Sequence, residues 1–273
     1  MGVKEIAILL SCHNRKDKTI KCLNALYLNK MPLGYIFEVF LVDDGSTDGT
    51  GEAIKEKFPK VNIILGDGNL FWNRGMHLAW KTASKTNDYD FYLWLNDDTF
   101  IFDNCLMELL KSSNKEKNHK IITGTTCGVD NNKKITYGGR SKNQGLIIPN
   151  GENQDCDYFN GNIVLIPRYV YKKVGMNDFI FHHSLGDFDY GLRARAKGIG
   201  IVIAPIISGM CDENTEIKSW KKKDLPLPTR IKSLYAPQGN NPIEFFKYDY
   251  RHNGIIMACF HFLTIHMKVL FLF

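Results

Sequence analysis

The sequence predicts an α/β fold with a mainly parallel, doubly wound central sheet flanked by helices. Four short apolar runs, at residues 6–10, 37–42, 61–65 and 91–95, have the length of buried strands. The segments between them carry apolar residues at helical spacing, which gives the order β-α-β-α-β-α-β. Strands and helices that alternate in this way form right-handed parallel crossovers in one sheet.

The three connecting helices are indicated by apolar residues that recur every three or four positions. Asp17 is a candidate N-cap for the first of them. The recurring residues are Ile20, Leu23 and Tyr27 in the first helix, Ile54 and Phe58 in the second, and Met76, Trp80 and Ala83 in the third.

The second half of the chain continues with mixed elements. Asp103 is a candidate N-cap for a helix, residues 112–120 read as a loop, and residues 121–128 and 135–139 read as short strands with turns between them. Residues 138–157 are rich in Gly, Asn and Gln, which is typical of a mobile loop over a site. A core strand at 159–166, a helix ending at 174, a loop at 184–193 that leads into a helix, and a strand at 199–204 complete the expected fold.

Composition narrows the class of protein. A chain of 273 residues with 44% hydrophobic and 23% charged residues is an ordinary globular protein. The net charge of +6 suits an anionic ligand or an acidic membrane surface, and no nucleic-acid motif accompanies it. The seven cysteines include no C-x-x-C pair, which argues against a disulfide framework or a structural zinc site and favours the cytoplasm.

Polar clusters follow three of the predicted strands. They occupy residues 11–15, 43–46 and 96–99. Ligands of open α/β sheets bind beyond the carboxyl ends of the strands, so we expect the three clusters to meet there. Carboxylates such as Asp97 and Asp98 are ligands that Mg²⁺ and Mn²⁺ prefer, although adjacent acids also open turns and cap helices.

Three motifs occur in a fixed order: VDDGSTDGT, LWLNDD and GDFDYGLRARAKG. Each is weak alone, but as a set they are specific. With them the chain resembles glycosyltransferase family 2, the inverting enzymes with a GT-A fold, and within it the rhamnosyltransferase-like branch that builds bacterial surface polysaccharides. The resemblance covers about residues 4–204. It implies a GT-A domain at 1–210, with a nucleotide-binding half at 1–100 and an acceptor half at 101–210, followed by a tail at 211–273.

The resemblance implies roles for the residues of the nucleotide-binding half. The nucleotide would be bound by residues that follow the first, second and fourth strands and by residues before the third helix, and the diphosphate by a divalent cation, Mg²⁺ or Mn²⁺. Asp44 would accept from a pyrimidine N–H, His13 would stack on the base, Asp97 would contact the ribose or the water shell of the metal, and Asp98 would ligate the metal. The full set is Ser11, His13, Arg15, Asp43, Asp44, Asn73, Arg74 and Asp97 for the nucleotide, Asp98 for the metal, and Asn96 in support. A simple turn and helix cap at 43–46 is the alternative for the two Asp residues there.

In the acceptor half, Asp187 matches the catalytic base of the family. Asp189 and Arg193 are spaced i, i+4 and are expected to form an ion pair that orients the helix. Gly186 stands where the family usually has Glu. Many relatives have a metal-binding His soon after the last strand; residues 208–214 contain none, so Cys211 or Asp212 would replace it, or Asp98 and the diphosphate would hold the metal alone. His182 and His183 are candidates for acceptor contacts, with a structural or exposed position as the alternative.

The C-terminal segment suggests contact with a membrane or a partner. Residues 218–232 are basic and interrupted by prolines, so they cannot form one helix. Residues 255–273 are apolar, but His261, His266 and Lys268 interrupt them. This pattern favours an interfacial or packed helix over a membrane span. A polyprenyl-linked acceptor, used at the cytoplasmic face of the inner membrane, would suit such an anchor.

The leading hypothesis is a metal-dependent inverting glycosyltransferase that uses a nucleotide sugar, such as dTDP-rhamnose or a UDP-sugar, and a glycan or lipid-linked acceptor. Asn96, Gly186 and the missing His motivate an alternative, a non-catalytic nucleotide-sugar-binding module with a decayed site. A nucleotidyltransferase or a dinucleotide oxidoreductase would need a Gly-rich loop after the first strand. Residues 11–15 contain no Gly, which excludes both.

Overall fold

Strands and helices alternate through the first hundred residues, as the sequence predicts. The structure, a computed structural model, describes residues 2–130 and 134–271. The strands are β1 (Lys4–Cys12), β2 (Tyr35–Asp43), β3 (Asn62–Leu65) and β4 (Phe91–Leu95). The helices between them are α1 (Lys16–Tyr27), α2 (Thr50–Lys57) and α3 (Phe71–Thr86).

The middle of the chain mixes short strands with three helices. The strands are β5 (Phe100–Ile101), β6 (Ile121–Cys127), β7 (Ile135–Tyr137), β8 (Gly139–Ser141), β9 (Gly145–Leu146), β10 (Gln154–Asp155), β11 (Tyr158–Phe159), β12 (Ile163–Pro167) and β13 (Ile201–Met210). The helices are α4 (Cys105–Lys115), α5 (Arg168–Val174) and α6 (Gly186–Ala196).

The C-terminal segment is helical. It consists of a 3₁₀ turn (Ser219–Lys221), α7 (Leu227–Tyr235), α8 (Pro242–Asn253) and α9 (Ile255–Phe271). Pro226 lies between the turn and α7, and Pro228 is in the first turn of α7, in agreement with the prediction that 218–232 is not one helix. Within residues 2–130 and 134–271, every helix is too short or too polar to cross a bilayer.

A ten-stranded sheet forms the centre of the molecule. Its main path is β10-β13-β6-β12-β4-β1-β2-β3, with β5 paired to β13 and β7 to β6. The six strands β3, β2, β1, β4, β6 and β13 run in one direction, and β12 runs against its neighbours β4 and β6. The predicted mainly parallel α/β fold is therefore confirmed. The carboxyl ends of β1, β2 and β4 meet at one edge, where β12 begins opposite the end of β4, with Ile163 paired to Leu95.

Hydrophobic cores cover both faces of the sheet, because successive strand side chains point to opposite sides. Ile6, Ile8 and Leu10 of β1 pack with α1, α2 and α4, whereas Ala7 and Leu9 pack with α3, α5 and α6. The second core contains an aromatic cluster. Its rings are Trp80, Tyr92, Trp94, Tyr171 and Tyr190, and the centroids of Trp94 and Tyr190 are 5.2 Å apart.

Several predicted helix boundaries are wrong by a few residues. Arg15 is the N-cap of α1, and Asp17 lies in the first turn, where its charge favours the helix dipole. The helix buries Thr19, Cys22, Leu23 and Leu26, while the side chain of Tyr27 is exposed. The N-cap of α4 is Asn104 instead of Asp103, and α4 extends to Lys115 because Ser112 and Ser113 are buried against the core.

The segment 138–157 is more ordered than predicted. It contains β8, β9 and β10, and β10 pairs with β13 at the edge of the sheet. The second, three-stranded sheet is formed by β11, β8 and β9. The turn expected between the strands at 121–128 and 135–139 lies partly at 131–133, outside the described residues, as do residues 272 and 273 of the C-terminal segment.

The contact between α3 and β1 allows a test of this packing. A Cβ at Gly75 would collide with the side chain of Ser11. Gly75→Ala should lower the free energy of unfolding by about 1–3 kcal/mol, although alanine favours a helix, because the collision outweighs helix propensity. Urea denaturation measures the effect. Adding Ser11→Gly removes the colliding atoms and should restore most of the loss; equal loss in both variants would contradict the contact.

Candidate active site

The carboxylate of Asp44 organises the loop at 66–71. Its Oδ1 accepts a hydrogen bond from the backbone N–H of Gly68, and its Oδ2 accepts from those of Leu70 and Phe71, all at 2.9 Å. Asp44 is buried at the end of β2, with 3% of its surface exposed. These three backbone donors hold the side chain of Asp44 in place and fix the start of α3. Asp44 therefore fixes the conformation of the loop at 66–71.

The loop after β1 lies against the turn after β2. The Nδ1–H of His13 donates to the backbone oxygen of Asp44 at 2.5 Å, and the ring of His13 is exposed. Asn14 and Ser46 join the two loops, since the backbone N–H of Asn14 donates to Ser46 Oγ at 2.9 Å. Asp43 Oδ1 accepts from the amide of Ser46 at 3.0 Å, so the turn function considered for Asp43 is present. Two polar clusters predicted from the sequence therefore meet.

Ser11 does not belong to the exposed turn in which the sequence analysis placed it. It lies inside β1, its side chain is buried, and it packs against Gly75 of α3. The polar turn begins only at His13, because β1 extends through Cys12 to pair with Asp43. This is a correction to the predicted boundary of the first strand.

Arg15 joins the first polar cluster to the third. Its Nη1 donates to Asp97 Oδ1 at 3.1 Å and to Asp98 Oδ2 at 2.8 Å. Asp97 is buried, whereas the side chain of Asp98 is 25% exposed. Burial and the neighbouring charge of Asp98 raise the pKa of Asp97 to about 7, although Arg15 acts to lower it. The two carboxylates therefore share one guanidinium.

Asn96 connects these acids to the opposite wall. Its side-chain Oδ1 accepts from the indole N–H of Trp72 at 2.7 Å, and its backbone N–H donates to the backbone oxygen of Asn162 at 3.0 Å. The ring of Trp72 lies directly over Gly161, where a Cβ would come within 2.5 Å of it. Trp72 is half-buried, and its N–H is already bonded. The turn at 160–162 is thereby held beside the strand-end acids.

Asp187 lies at the other side of that turn. Its Oδ2 accepts from the amide of Gly161, and its Oδ1 accepts from the amide of Phe188, both at 2.9 Å. Burial raises the pKa of the Asp187 carboxyl to about 6, and the two amide donors oppose that rise. A carboxylate with this pKa is ionised at neutral pH and is a better proton acceptor than an exposed Asp.

The structure gives Asn73 and Arg74 different partners from those predicted. Both lie inside the first turn of α3, and their backbone N–H groups donate to the backbone oxygen of His182. The side chain of Asn73 is fully buried and donates to the backbone oxygens of Asp178 and Phe181 at 2.7 Å. Because these donors are used, Asn73 cannot bind a pyrophosphate through its side chain; it fixes the segment that leads to Asp187. Arg74 donates to the backbone oxygen of Phe179 and stacks on its ring.

Gly186 is required by the same contact. A Cβ at this position would collide with the side-chain amide of Asn73. The approach of α6 to the start of α3 therefore leaves no room for a Glu side chain beside Asp187. Asn73 fills the space that the departure from the family motif creates.

Asp189 has a supporting role, as expected. It is fully buried, and its Oδ2 accepts from Arg193 at 2.8 Å, which confirms the i, i+4 ion pair. Its Oδ1 accepts from Arg251 at 2.6 Å and from His252 at 2.9 Å, both on α8. Burial acts to raise the pKa of Asp189, but these partners outweigh it and lower the pKa below its usual value.

Helix α8 supplies supporting residues that the sequence analysis missed. Glu244 accepts from His182 Nδ1 at 2.6 Å and from the amide of His182 at 3.2 Å, so this His is committed to structure. His183 is largely buried, its Nδ1 has no partner in the described structure, and burial lowers its pKa to about 4. An Asn-Pro start and alternating charges predict a helix at 241–253, but only the fold reveals its partners.

The carboxylates of Asp97 and Asp98 are of the type that binds a divalent cation. Carboxylate oxygens are suitable donors, and Asp98 exposes part of its side chain to the crevice. Within the described ranges, however, no three His, Cys, Asp or Glu residues form a metal site. The thiol of Cys211 lies 3.6 Å from Asp98 Oδ1, and burial raises its pKa to about 12. Asp212 Oδ1 accepts from the backbone N–H of Val129 at 2.8 Å.

Comparisons with known proteins identify the family of this chain. The family model of Glycosyl transferase family 2 matches residues 7–175, more than half of the chain. The chain belongs to this family. The matched region contains most of β1, all elements from α1 to α5, and with them the polar clusters at 11–15, 43–46 and 96–99.

Two curated proteins to which this chain is similar are polysaccharide synthases of bacteria. The hyaluronan synthase of Streptococcus pyogenes is 28% identical over 118 residues, which are 41% of this chain and 27% of the relative. The poly-beta-1,6-N-acetyl-D-glucosamine synthase of Staphylococcus epidermidis is 28% identical over 122 residues, 45% of this chain and 28% of the relative. The chain thus spans little more than a quarter of the length of these curated relatives.

Solved structures share the fold at low identity. TarS 1-349 of S. aureus in complex with UDP-GlcNAc superposes with a TM-score of 0.56 at 14% identity, covering 97% of this chain and 73% of TarS 1-349. The mannosyltransferase PcManGT of Pyrobaculum calidifontis, in complex with GDP-Man and Mn²⁺, has a TM-score of 0.57 at 13% identity, covering 96% and 74%. The likeness therefore includes most of the C-terminal segment.

The ion pairs between α8 and α6 give a testable prediction. Arg251→Met removes one donor from the fully buried Asp189 and should lower the free energy of unfolding by about 1–3 kcal/mol at neutral pH. The difference should shrink in acid as Asp189 becomes protonated, because its pKa is lowered in the folded state. Urea denaturation as a function of pH measures this. Lys115→Met, which breaks an exposed pair with Glu152, is the control and should change stability by less than about 0.5 kcal/mol.

Proposed function

We propose that this chain is a metal-dependent, inverting glycosyltransferase of the hexosyltransferase type. It would move a sugar from a nucleotide diphosphate to a glycan or lipid-linked acceptor during synthesis of a cell-surface polysaccharide such as a capsule or O-antigen. The observation that carries the proposal is the position of Asp187. Its carboxyl group has a raised pKa and is hydrogen-bonded to Gly161. The same turn, residues 160–162, is hydrogen-bonded through Asn162 to Asn96, which precedes the acids at the end of β4.

The donor would bind across the carboxyl ends of β1, β2 and β4. His13 is exposed beside the backbone of Asp44 and offers a ring for the base. Asp43 and Asp44 hold the walls of this pocket, and Asp44 retains lone pairs for a base N–H after accepting three amides. Arg15 is half-exposed and directs its guanidinium to the same crevice, where a diphosphate could accept from it.

A divalent cation, Mg²⁺ or Mn²⁺, would be held by Asp98, with Asp97 in the second layer. When bound it would offset the charge of the diphosphate leaving group. The two carboxylates share a single guanidinium, so the protein side of the site carries excess negative charge. Oxygen atoms of the diphosphate would complete the coordination, since the described residues do not form a closed site.

Asp187 would act as the general base. It takes the proton of the acceptor hydroxyl while that oxygen forms a bond to the anomeric carbon from the face opposite the diphosphate. The bond from the anomeric carbon to the diphosphate oxygen breaks with its electron pair, and the sugar configuration inverts. The amides of Gly161 and Phe188 hold both carboxylate oxygens in place for this transfer.

The donor is proposed to be a UDP-sugar or dTDP-rhamnose. The structural neighbour TarS is in complex with UDP-GlcNAc, and the resemblance to the rhamnosyltransferase-like branch supports the second choice. The acceptor is proposed to be a glycan or a polyprenyl-linked sugar. A peripheral position on the cytoplasmic face of the inner membrane would bring the chain to such an acceptor, and the exposed apolar residues of α9 support it.

An assay of diphosphate release tests the proposal. The purified protein with Mn²⁺ should release UDP or dTDP from one member of a panel of nucleotide sugars when an acceptor is present, and chelation of the metal should stop it. Asp187→Asn should lower kcat by at least about 10³-fold and leave donor affinity nearly unchanged. Nucleotide binding without release across many acceptors would favour the alternative, a binding module with a decayed site.

The pH dependence of transfer is a second prediction. Because the pKa of Asp187 is raised to about 6, kcat at saturating donor and metal should fall about tenfold per pH unit below pH 6. Asp187 must be ionised to accept a proton, so the loss lies on the acid side. Tryptophan fluorescence should show that the protein stays folded over this range. A midpoint near 4, the value of an exposed Asp, would contradict the role of burial.

A further inference from the structure

A groove in the C-terminal segment is far in sequence from the proposed active site. It lies between the 3₁₀ turn, α8 and α9 and has a volume of about 550 Å³. Its walls combine basic and aromatic side chains, and none of the lining residues is acidic. The residues that matter for the argument are Trp220, Lys221, Lys223, Phe245, His261 and Lys268. A groove of this composition suits an anion that carries an apolar part.

The three lysines of the groove have no carboxylate partner in the described parts of the chain. Lys221 lies over the ring of Trp220, with its Nζ 5.1 Å from the ring centre. Lys218, by contrast, donates to Gly239 and Asn240 and is committed to the fold. Three like charges around one groove repel one another, so an anionic ligand would stabilise the arrangement.

His261 adds a fourth polar group. Its Nδ1 donates to the buried Asp249 of α8 at 2.8 Å. This bond fixes the orientation of the ring at the wall of the groove. The indole N–H of Trp220, which is 4% exposed, has no hydrogen-bond partner in the described structure.

An apolar stripe runs along the outer side of α9. Its members are spaced four, three, four and three residues apart, which places them on one face of a helix. They are Ile256, Phe260, Leu263, Met267 and Leu270, and they are between 45% and 82% exposed. Ala258 and Val269 lie on the inner side and are buried. Lys268 directly follows Met267, so the groove and the stripe occupy neighbouring sides of one helix.

We propose that the groove binds the phosphate-bearing headgroup of an anionic membrane lipid while the stripe on α9 inserts among the acyl chains. The head of such a lipid is anionic and its chains are apolar, which matches the two surfaces side by side. This inference deepens the membrane contact in the proposed function. It does not depend on sugar transfer.

A second copy of the chain is a less suitable occupant of this surface. The spacing of the stripe would allow two α9 helices to pair, as in a coiled coil. Two-fold pairing along α9, however, would bring the groove lysines of both copies close together without a carboxylate to offset them. A bilayer that contains anionic lipid meets both the basic and the apolar surface.

Vesicle binding tests the proposal. The full chain is mixed with vesicles of phosphatidylcholine, alone or with phosphatidylglycerol, and the bound fraction is measured by sedimentation. We expect binding to the anionic vesicles only. The triple variant Lys221→Gln, Lys223→Gln, Lys268→Gln should weaken it by about fivefold for each lysine, the effect of ~1 kcal/mol per basic residue at an anionic bilayer. The matched control Lys55→Gln, Lys60→Gln, Lys85→Gln neutralises three exposed lysines elsewhere and should bind as the wild type does.

The double variant Leu263→Gln, Met267→Gln separates a lipid from a soluble phosphate. It should lose vesicle binding while the groove lysines remain. Equal loss in the groove and control variants would overturn the proposal, because charge alone would then explain binding. So would groove-dependent binding of inorganic phosphate without any vesicle binding, or a dimer that the stripe variant converts to a monomer.

Titration with UDP and dTDP on the same preparations keeps this test separate from the proposed function. All groove and stripe variants should keep the wild-type affinity for the nucleotide, since none of these residues contacts the strand-end acids. Loss of vesicle binding with intact nucleotide binding supports the lipid site. A wild type that binds nucleotide but no vesicles overturns the lipid site and leaves the transferase proposal untouched.

Discussion

The site depends on one guanidinium that two carboxylates share. Asp97 and Asp98 follow a strand whose five residues are all buried, and Asp97 itself is nearly removed from solvent. Burial of Asp97, and after it the neighbouring charge of Asp98, raise the pKa of the Asp97 carboxyl. Arg15 offsets one of the two charges. Negative charge that Arg15 leaves unbalanced supports the proposal that a diphosphate would enter this crevice together with a cation.

The convergence of the polar clusters was predictable because it follows from topology alone. Parallel strands joined by helices end at one edge, so the residues that follow β1, β2 and β4 had to meet. The contacts of Asn73 were not predictable in this way. Its partners Asn177, Asp178 and Phe181 lie about a hundred residues further along the chain, and no local pattern relates them. A polar residue near the start of a helix, such as Asn73, suggests an anion ligand when only the sequence is considered. The fold shows that another segment buries its side chain.

Boundary errors have a similar origin. Asp17 and Asp103 have strong local reasons to cap helices, but tertiary contacts decided which residue came first. Residues 112–115 are polar and were expected to form a loop, yet α4 continues because Ser112 and Ser113 face the core. The substitution of Gly186 for the usual Glu reads from the sequence as a lost contact. In the fold it is the space that the side chain of Asn73 requires.

Helix α8 links the proposed active site to the groove. Glu244 near its start holds His182, and Arg251 and His252 near its end hold Asp189, so both contacts position the segment that carries Asp187. Between them, Asp249 faces the other way and holds His261 of the groove. A ligand that orders α9 against α8 would therefore also stabilise the segment that carries Asp187, the proposed base. The C-terminal segment thus belongs to the support of Asp187 as much as to any membrane surface, since removing α8 would expose the buried carboxylate of Asp189.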